Sequence, residues 1–183
     1  MINRLFALIF LIILSPLFII VALFIIIEDG FPVLFYQKRI GMNLTFFKIF
    51  KFRSMKKNTP NVATHLLINP DQYLLKIGNL IRKTSLDELP NLINIIKGEM
   101  LFVGPRPALY NQDDLISLRV AKGLDKLKPG ITGWAQINGR DDISIEKKVE
   151  LEEEYLNKKS FLFDLKIIIK TFTNVLFRKG IIH

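Results

Sequence analysis

The sequence predicts an α/β domain that associates with a membrane, and three observations support this prediction. Half of the 183 residues are hydrophobic, yet the formal net charge is +9. A soluble domain does not need so much apolar material, whereas a membrane protein with a solvated basic surface does. The apolar residues are concentrated in an N-terminal run, and the remaining chain alternates segments typical of strands, helices and Gly/Pro-rich loops.

The apolar run covers residues 5–27 and contains no charged residue. It exceeds the roughly 20 residues that a helix needs to cross a bilayer. A cleaved signal peptide is an alternative, but the run is too long for one and no small-residue cleavage site follows. Ser15 and Pro16 interrupt the run near its middle, where proline predicts a kink. A kinked spanning helix and a helix-break-helix hairpin that returns to the same membrane face both remain open.

The segment after the run is basic. No carboxylate lies between residues 30 and 70, but seven cationic residues do: Lys38, Arg39, Lys48, Lys51, Arg53, Lys56 and Lys57. The positive-inside rule therefore predicts that the downstream domain is cytoplasmic. The charge also indicates a polyanionic partner, which would be nucleic acid, anionic lipid or a phosphorylated substrate.

The middle of the chain predicts one strand and two helices. Residues 45–55 interleave aromatic and basic side chains, as in a strand with a basic side. Helices are expected at 73–82 and 85–97, the second ended by Gly98. Its apolar face is predicted to consist of Leu89, Leu92, Ile93 and Ile96.

The C-terminal half predicts two shaped loops followed by two helices. Residues 101–107 and 128–140 are rich in glycine and proline, which is typical of loops. Residues 146–159 are predicted to form a charged helix, and residues 161–177 an amphipathic helix. The apolar positions of the last helix are Phe161, Leu165, Ile168, Ile169, Phe172 and Leu176, and Lys166, Lys170 and Arg178 flank them. Core packing and a position in the membrane interface are equally compatible with this pattern.

Asp87 and Glu88, hereafter the acidic pair, lie in otherwise basic surroundings. A structural interpretation is available, because Ser85 and Glu88 fit a capping box and Asp87 would complement the helix dipole. The functional interpretation is that a carboxylate at a helix N-terminus stays ionised and can act as a nucleophile or bind a hard cation. Arg82 lies just before the pair.

Arg106 is the next candidate, since Pro105 and Pro107 fix the backbone around it and would aim its guanidinium at a phosphate. An incidental arginine in a surface turn is the alternative. In the later loop, Gly130, Gly133 and Gly139 permit close approach of a ligand to the backbone. Trp134 could stack on a base or fill the core.

The absence of cysteine excludes disulfides, thiol catalysis and Cys-ligated metal. With two histidines in the chain, a His-based metal site is excluded in practice. The sequence contains no Walker loop, no dinucleotide fingerprint and no candidate Ser-His-Asp triad.

Six features in order resemble a known family. They are the apolar run broken at Ser15-Pro16, FKIFKFRSM (47–55), SLDELP (85–90), GPRP (104–107), PGITG (129–133) and QINGR (136–140). Together they resemble the bacterial sugar transferases, the monotopic phosphoglycosyl transferases, and in size their minimal members of the undecaprenyl-phosphate bacillosamine phosphate transferase type. The resemblance covers nearly the whole chain.

The resemblance implies a reaction in which a phosphosugar passes from a UDP-sugar to undecaprenyl phosphate and UMP is released. It implies Mg²⁺ held by the acidic pair, with Asp87 as covalent nucleophile and Glu88 as partner carboxylate. It further assigns Arg82, Arg106 and Lys51 to phosphates, and Gln136 and Arg140 to the nucleotide. An N-acetylated sugar is expected from the family alone.

The resemblance also implies an architecture: a re-entrant membrane helix over residues 1–29, broken at Ser15-Pro16, and a cytoplasmic catalytic domain with interfacial helices over residues 30–183. The expected location is the cytoplasmic face of the bacterial inner membrane, with membrane lipid but no nucleic acid as a partner. Two rival interpretations are a tethered basic module that binds anionic lipid or nucleic acid, and a structural subunit of a membrane complex. The first does not explain an acidic pair together with the Gly/Pro loops, and activity of the purified chain alone would refute the second.

Overall fold

The computed structural model of the chain describes residues 1–60, 69–139 and 143–176. It has mixed helix and strand, as the α/β prediction requires. The helices are α1 (Ile2–Ile13), α2 (Ser15–Asp29), α3 (Lys76–Lys83), α4 (Asn91–Lys97), α5 (Asp113–Ala121), α6 (Trp134–Ile137), α7 (Ile145–Lys158) and α8 (Phe161–Leu176). The strands are β1 (Leu34–Ile40), β2 (Phe46–Phe52), β3 (Leu101–Val103) and β4 (Gly130–Thr132). Short 3-10 turns cover Met42–Leu44, Pro70–Tyr73, Leu86–Glu88 and Leu124–Lys126.

The apolar run forms two helices that meet at an angle of 60°. The hydroxyl of Ser15 donates a 2.8 Å hydrogen bond to the carbonyl of Ile12, a group whose helical bonding is disturbed by the break. The predicted break at Ser15-Pro16 is therefore confirmed. Within the described ranges, no single helix has the length and apolar character to cross a bilayer, whereas the bent pair together meets both criteria.

Strands β1 and β2 form an antiparallel hairpin whose register runs from Leu34 opposite Phe52 to Ile40 opposite Phe46. This confirms the strand predicted within residues 45–55. The buried Asn94 of α4 hydrogen-bonds the edge of β2 that does not pair with β1. Its side-chain nitrogen donates to the carbonyl of Lys48 (2.7 Å), and its side-chain oxygen accepts from the N–H of Phe50 (3.2 Å). These bonds attach α4 to the hairpin.

The loop prediction was wrong for parts of both Gly/Pro-rich segments. Residues 101–103 form β3 and residues 130–132 form β4, which pair in parallel. Residues 134–137 form α6. The glycines here serve contacts inside the protein: a Cβ at Gly133 would lie 2.2 Å from the carbonyl oxygen of Gly104. The strands are only three residues long, so they leave no periodic pattern to recognise.

The two helices predicted in the middle of the chain needed correction. In the first, residues 70–73 form a 3-10 turn and α3 begins only at Lys76. The second is not one helix from 85 to 97. Ser85 adopts a left-handed backbone (φ 57°) without a side-chain capping bond, so the capping-box interpretation is wrong.

A 3-10 turn follows Ser85, and α4 starts after Pro90, which has no N–H to continue a helix. The buried residues of α4 are Asn91, Leu92, Asn94 and Ile95, of which only Leu92 belongs to the predicted apolar face. Because two of the buried residues are asparagines, the buried face of α4 does not appear as a run of apolar residues at helical spacing. Gly98, in the left-handed region (φ 83°), ends α4 as predicted.

Both arms of the bent pair pack against the rest of the chain. Ala7 of α1 is buried in a cluster with Phe47, Ile49, Leu92, Ile95 and Met100. Val21 and Ile25 of α2 are buried with Phe52, Leu75 and Ile81. A third cluster, around Val103, Leu115, Val149, Tyr155 and Ile167, holds α5, α7 and α8 together.

The end of α2 is fastened by polar contacts. The buried Arg53 forms an ion pair with Asp29 and donates to the carbonyl of Pro32 (2.6 Å). The Glu28 carboxylate accepts from the N–H of Lys76 (2.6 Å) at the start of α3, where the helix dipole favours a negative charge. The transition from the apolar run to the downstream chain is therefore closely held.

The C-terminal helices match their predictions in extent. Ser144 caps α7, accepting from the N–H of Lys147 at 3.2 Å. The predicted apolar face of α8 is largely outside the core: Phe161 is 80% and Phe172 69% exposed, whereas Ile167 and Phe163 pack inward. Phe177 and Arg178 of that prediction lie outside the described residues.

Candidate active site

The acidic pair lies on the 3-10 turn Leu86–Glu88, between α3 and α4. The left-handed Ser85 turns the chain sharply after α3, and Pro90 then allows α4 to start in a new direction. As a result the pair does not extend along a helix surface but faces the β hairpin. Asp87 is buried, with 9% of its surface exposed.

Glu88 is held by two cations. Its Oε1 accepts a 2.7 Å hydrogen bond from Nζ of Lys51 and lies 3.4 Å from both terminal nitrogens of Arg106. Burial by itself raises the pKa of this carboxyl, but the charges and hydrogen bonds of Lys51 and Arg106 outweigh burial. The pKa of Glu88 therefore lies well below its usual range, and the group stays ionised.

Asp87 has a different environment although it is the next residue. Its nearest cation is Lys51, at 3.9 Å, and it accepts no hydrogen bond from any residue in the described ranges. Burial raises the pKa of Asp87 to about 6; the Glu88 charge adds to this rise, while Lys51, Arg82 and Arg106 oppose it. The pair thus consists of a fixed carboxylate beside one whose oxygens remain available.

The segment 104–107, which carries Arg106, is fixed through its carbonyl groups. The N–H of Gly104 donates to the carbonyl of Thr132 (2.9 Å), and the two prolines have no N–H, so carbonyl groups anchor the rest of the segment. The carbonyl of Pro105 accepts from Gly130 (3.0 Å), that of Arg106 from Arg119 (2.9 Å) and that of Pro107 from Arg39 (3.0 Å). The prediction that flanking prolines produce a defined backbone here is consistent with this geometry.

Arg39 is a site residue that the sequence reasoning did not single out. It lines a small cavity with Lys51, Glu88, Asn91 and Arg106. The pairing of β1 with β2 places positions 39 and 51 on the same face, and this register is a property of the fold that the sequence alone does not show. Arg39 was grouped instead with the basic run as a whole.

The remaining predicted residues are placed less closely to the pair. Arg82 is in the last turn of α3, and its charge acts on Asp87. Gln136 is on α6, which packs against α7 and α8, and no described contact joins it to the acidic pair. Arg140 lies outside the described residues. Trp134 contacts Phe163 (4.9 Å between ring centroids) and donates to Glu154, so it serves the core.

The site offers suitable oxygens for a hard divalent cation. Within residues 1–60, 69–139 and 143–176 no group of three or more metal-ligating side chains occurs. Mg²⁺ does not need one, since it is commonly bound by one or two carboxylates together with substrate phosphates and water. The oxygens of Asp87 and the second oxygen of Glu88 fit this donor set.

Comparison with known proteins adds a family match. The sequence profile described as "Bacterial sugar transferase" matches residues 1–178. The uncharacterized sugar transferase EpsL of Bacillus subtilis is 46% identical over 156 residues, which are 85% of this chain and 75% of EpsL.

Two relatives have more specific names. The UDP-glucose:undecaprenyl-phosphate glucose-1-phosphate transferase of Escherichia coli is 43% identical over 169 residues, covering 88% of this chain. The undecaprenyl-phosphate galactose phosphotransferase of Salmonella typhimurium is 35% identical over 190 residues, covering 93%. The matched regions are 36% and 38% of those two longer proteins.

Proposed function

The chain belongs to the bacterial sugar transferase family, and from this premise we propose that it moves a phosphosugar from a UDP-sugar to undecaprenyl phosphate, releasing UMP. The names of two relatives supply the acceptor and the transferred group. The observation that carries the proposal is the contrast inside the acidic pair: Glu88 is fixed and ionised between Lys51 and Arg106, while buried Asp87 keeps unbonded oxygens beside the same cations.

In the first step, a carboxylate oxygen of Asp87 attacks the phosphorus that bears the sugar. A new P–O bond forms, the bond from that phosphorus to the bridging oxygen breaks, and UMP leaves with the electron pair. Lys51, Arg82 and Arg106 neutralise the phosphate charges, which is the main contribution a protein makes to phosphoryl transfer. Glu88 keeps Lys51 and Arg106 in place.

In the second step, an oxygen of undecaprenyl phosphate attacks the same phosphorus. The carboxylate of Asp87 leaves, and a diphosphate-linked sugar on the lipid results. Dividing the transfer into two displacements means that donor and acceptor need not be bound together. One compact group of cations can then serve both phosphates in turn.

Mg²⁺ is part of the proposal, held by Asp87 and Glu88 with substrate phosphate oxygens. When bound, it would neutralise charge on the diphosphate. In the metal-free site, burial raises the pKa of Asp87 to about 6, and a bound cation would favour the ionised carboxylate. A protonated Asp87 cannot act as nucleophile, so turnover should fall at acidic pH.

The apolar surface supports contact with a membrane, and the basic segment that follows α2 favours the cytoplasmic face of the bacterial inner membrane. Large apolar side chains are more than half exposed on both arms of the bent pair and on α8, among them Leu5, Ile12, Ile20, Ile27, Phe161 and Phe172. Contiguous apolar surface of this kind is typical of membrane contact. We propose that α1 and α2 form a re-entrant hairpin and that α8 lies in the interface.

Packing on both arms favours the hairpin over a spanning helix. Ala7 in α1 and Ile25 in α2 are both fully buried against the same downstream chain. The guanidinium of Arg4 lies so close to Gly98, at the end of α4, that a Cβ there would be 2.0 Å away. A helix that crossed the bilayer would lose the α1 contacts.

Cysteine labelling tests the topology. Single cysteines at Asn3 and Asn43 should react with an impermeant reagent from the same, cytoplasmic side. Replacing Ser15-Pro16 by Leu-Ala should straighten the run and allow some molecules to span, moving position 3 to the other side. Labelling of position 3 from the periplasmic side in the unmodified protein would refute the hairpin.

The activity itself is tested by UMP detection with UDP-glucose, UDP-galactose and UDP-N-acetylglucosamine, each with and without undecaprenyl phosphate. The proposal expects lipid-linked sugar and continued UMP release with at least one donor when the acceptor is present, and loss of both on chelation of Mg²⁺. Binding of anionic vesicles without UMP from any donor would instead favour the tethered binding module.

A further inference from the structure

We propose that Arg119 and Glu152 act as a positioning pair, which sets the direction of the Arg106 side chain towards Glu88 and the donor phosphates. The expected effect on turnover rests on the proposed function. The expected effect on the position of the Arg106 side chain does not. Neither residue touches the acidic pair in the described contacts, and they lie on α5 and α7, far along the chain from it.

The pair is closely bonded and hidden from solvent. Nε of Arg119 donates to Oε2 of Glu152 at 2.7 Å, and the Nη2 atom of Arg119 donates to Oε1 at 2.5 Å, so the contact is bidentate. The side chains are 10% and 2% exposed. The same Nη2 also donates to the carbonyl of Arg106 at 2.9 Å.

That third bond matters because of where Arg106 lies. The direction of a side chain follows from the two peptide planes on either side of its Cα. The plane before Arg106 is held by the bond from Gly130 to the carbonyl of Pro105. The plane after it is held by Arg119. With both planes fixed, the Cα–Cβ bond of Arg106 has one direction, and its guanidinium reaches Glu88.

Stability alone is a weak explanation for the pair. Desolvating two charges costs about as much as their attraction returns, so well-packed apolar residues can often replace a buried ion pair without loss. The apolar replacement cannot donate to the carbonyl of Arg106. A double substitution therefore separates the two roles, because it can retain the fold while it removes the positioning bond.

The test uses Arg119→Met together with Glu152→Leu in the full chain. The double variant should keep or increase its thermal stability, and kcat for UMP release should fall on the order of 10- to 100-fold, as expected when a catalytic group is displaced slightly. In an Arg106→Ala background the same double change should cause no further loss, since its target is gone. If the double change lowered kcat by the same factor in the Arg106→Ala variant as in the unmodified protein, the proposal would be overturned.

A matched control is available between the end of α5 and α7. Lys122 and Glu153 form an exposed ion pair there, with no described contact to Arg106. Lys122→Gln with Glu153→Gln should leave kcat unchanged; an equal loss there would refute a specific role for Arg119. If the double variant proves too unstable to assay, Arg119→Lys, which keeps the charge but loses the bidentate contact, should give the same dependence on Arg106.

A structure of the double variant decides the geometry without relying on turnover. Displacement of the Arg106 guanidinium from its 3.4 Å contact with Glu88 is expected, and an unmoved guanidinium would contradict the inference. If the unmodified protein releases UMP from none of the donors, the proposed function fails, while this structural result still decides whether Arg119 positions Arg106.

Discussion

Glu88 and Glu152 are both buried or nearly buried glutamates that hold an arginine, yet their surroundings differ. Glu152 is 2% exposed in its side chain and makes a closed bidentate pair with Arg119. Glu88 is 20% exposed and uses one oxygen for both Lys51 and Arg106. A second carboxylate, Asp87, lies beside it without a hydrogen bond from the described residues. Both oxygens of Glu152 are therefore used, whereas Asp87 keeps oxygens that accept no hydrogen bond from the described residues.

The comparison teaches how to separate a scaffold from a site when the residue types are the same. A satisfied, sealed pair has nothing left to offer a ligand. An acidic pair whose Asp87 oxygens accept no hydrogen bond from the described residues, and which lies beside cations, can take a metal and an anionic substrate. Removing the charge of Asp87 should therefore abolish turnover, whereas removing the charge of Glu152 alone should mainly cost stability.

The largest expected effect is on turnover at Asp87. Asp87→Asn keeps the size of the side chain and removes the nucleophile, so UMP release should fall by orders of magnitude, about 1,000-fold or more. Glu88→Gln should also be severe. The measurement is steady-state UMP release at pH 8; near-native turnover of Asp87→Asn would show that Asp87 is not the nucleophile.

The same variant should be more stable than the unmodified protein. Since burial raises the pKa of Asp87 from 3.8 to about 6, the folded protein binds this proton more tightly than the unfolded chain between those pH values. The contribution of Asp87 to stability therefore falls as the pH rises through this window, by about 3 kcal/mol in all. Carboxylates with a lowered pKa, such as Glu88, contribute in the opposite direction, so the test is the difference between the two proteins. In metal-free denaturant titrations, the unfolding free energy of Asp87→Asn should exceed that of the unmodified protein by more at pH 7 than at pH 4.

Glu152 should respond in the opposite way. Glu152→Gln leaves the buried Arg119 without its counter-charge, which costs about 3–5 kcal/mol of unfolding free energy. Chemical denaturation measures this loss. Breaking the exposed Lys122–Glu153 pair should cost no more than about 1 kcal/mol. Equal costs for the two substitutions would mean that burial does not distinguish them.

A smaller effect is expected from Arg106→Lys and Arg82→Lys. Each keeps the charge but loses the planar fork, and a charge-assisted bond contributes about 1.5–3 kcal/mol. Turnover should fall about tenfold or more for Arg106→Lys, with little change in stability, because Arg106 is 38% exposed in its side chain. Unchanged kinetics in both variants would return these arginines to a structural role.

The sequence predicted features whose causes are local. The break at Ser15-Pro16 and the end of α4 at Gly98 follow from backbone chemistry within one turn. The acidic pair, Arg82 and Arg106 were singled out from the residues themselves, and Lys51 came from the resemblance. The geometry brings Lys51 and Arg106 to Glu88. Roles for these residues, for Gln136 and Arg140, and for Mg²⁺ stay predictions.

Features that depend on distant partners were missed. The residues next to Ser85 do not indicate a left-handed turn. Glu88 forms no capping box there, because its side chain pairs with Lys51 and Arg106, which are distant in the sequence. Strands β3 and β4 are stabilised by each other across a long stretch of chain. The Arg119–Glu152 pair likewise joins residues that no local pattern connects.

The most direct test of the account is UMP release in a single turnover without acceptor. Enzyme mixed with its UDP-sugar and Mg²⁺, and no undecaprenyl phosphate, should release about one UMP per active site, because the phosphosugar remains on Asp87. Asp87→Asn should give no burst. Absence of the burst in the unmodified protein, with full activity once the lipid is added, would contradict the covalent mechanism and favour direct transfer between bound substrates.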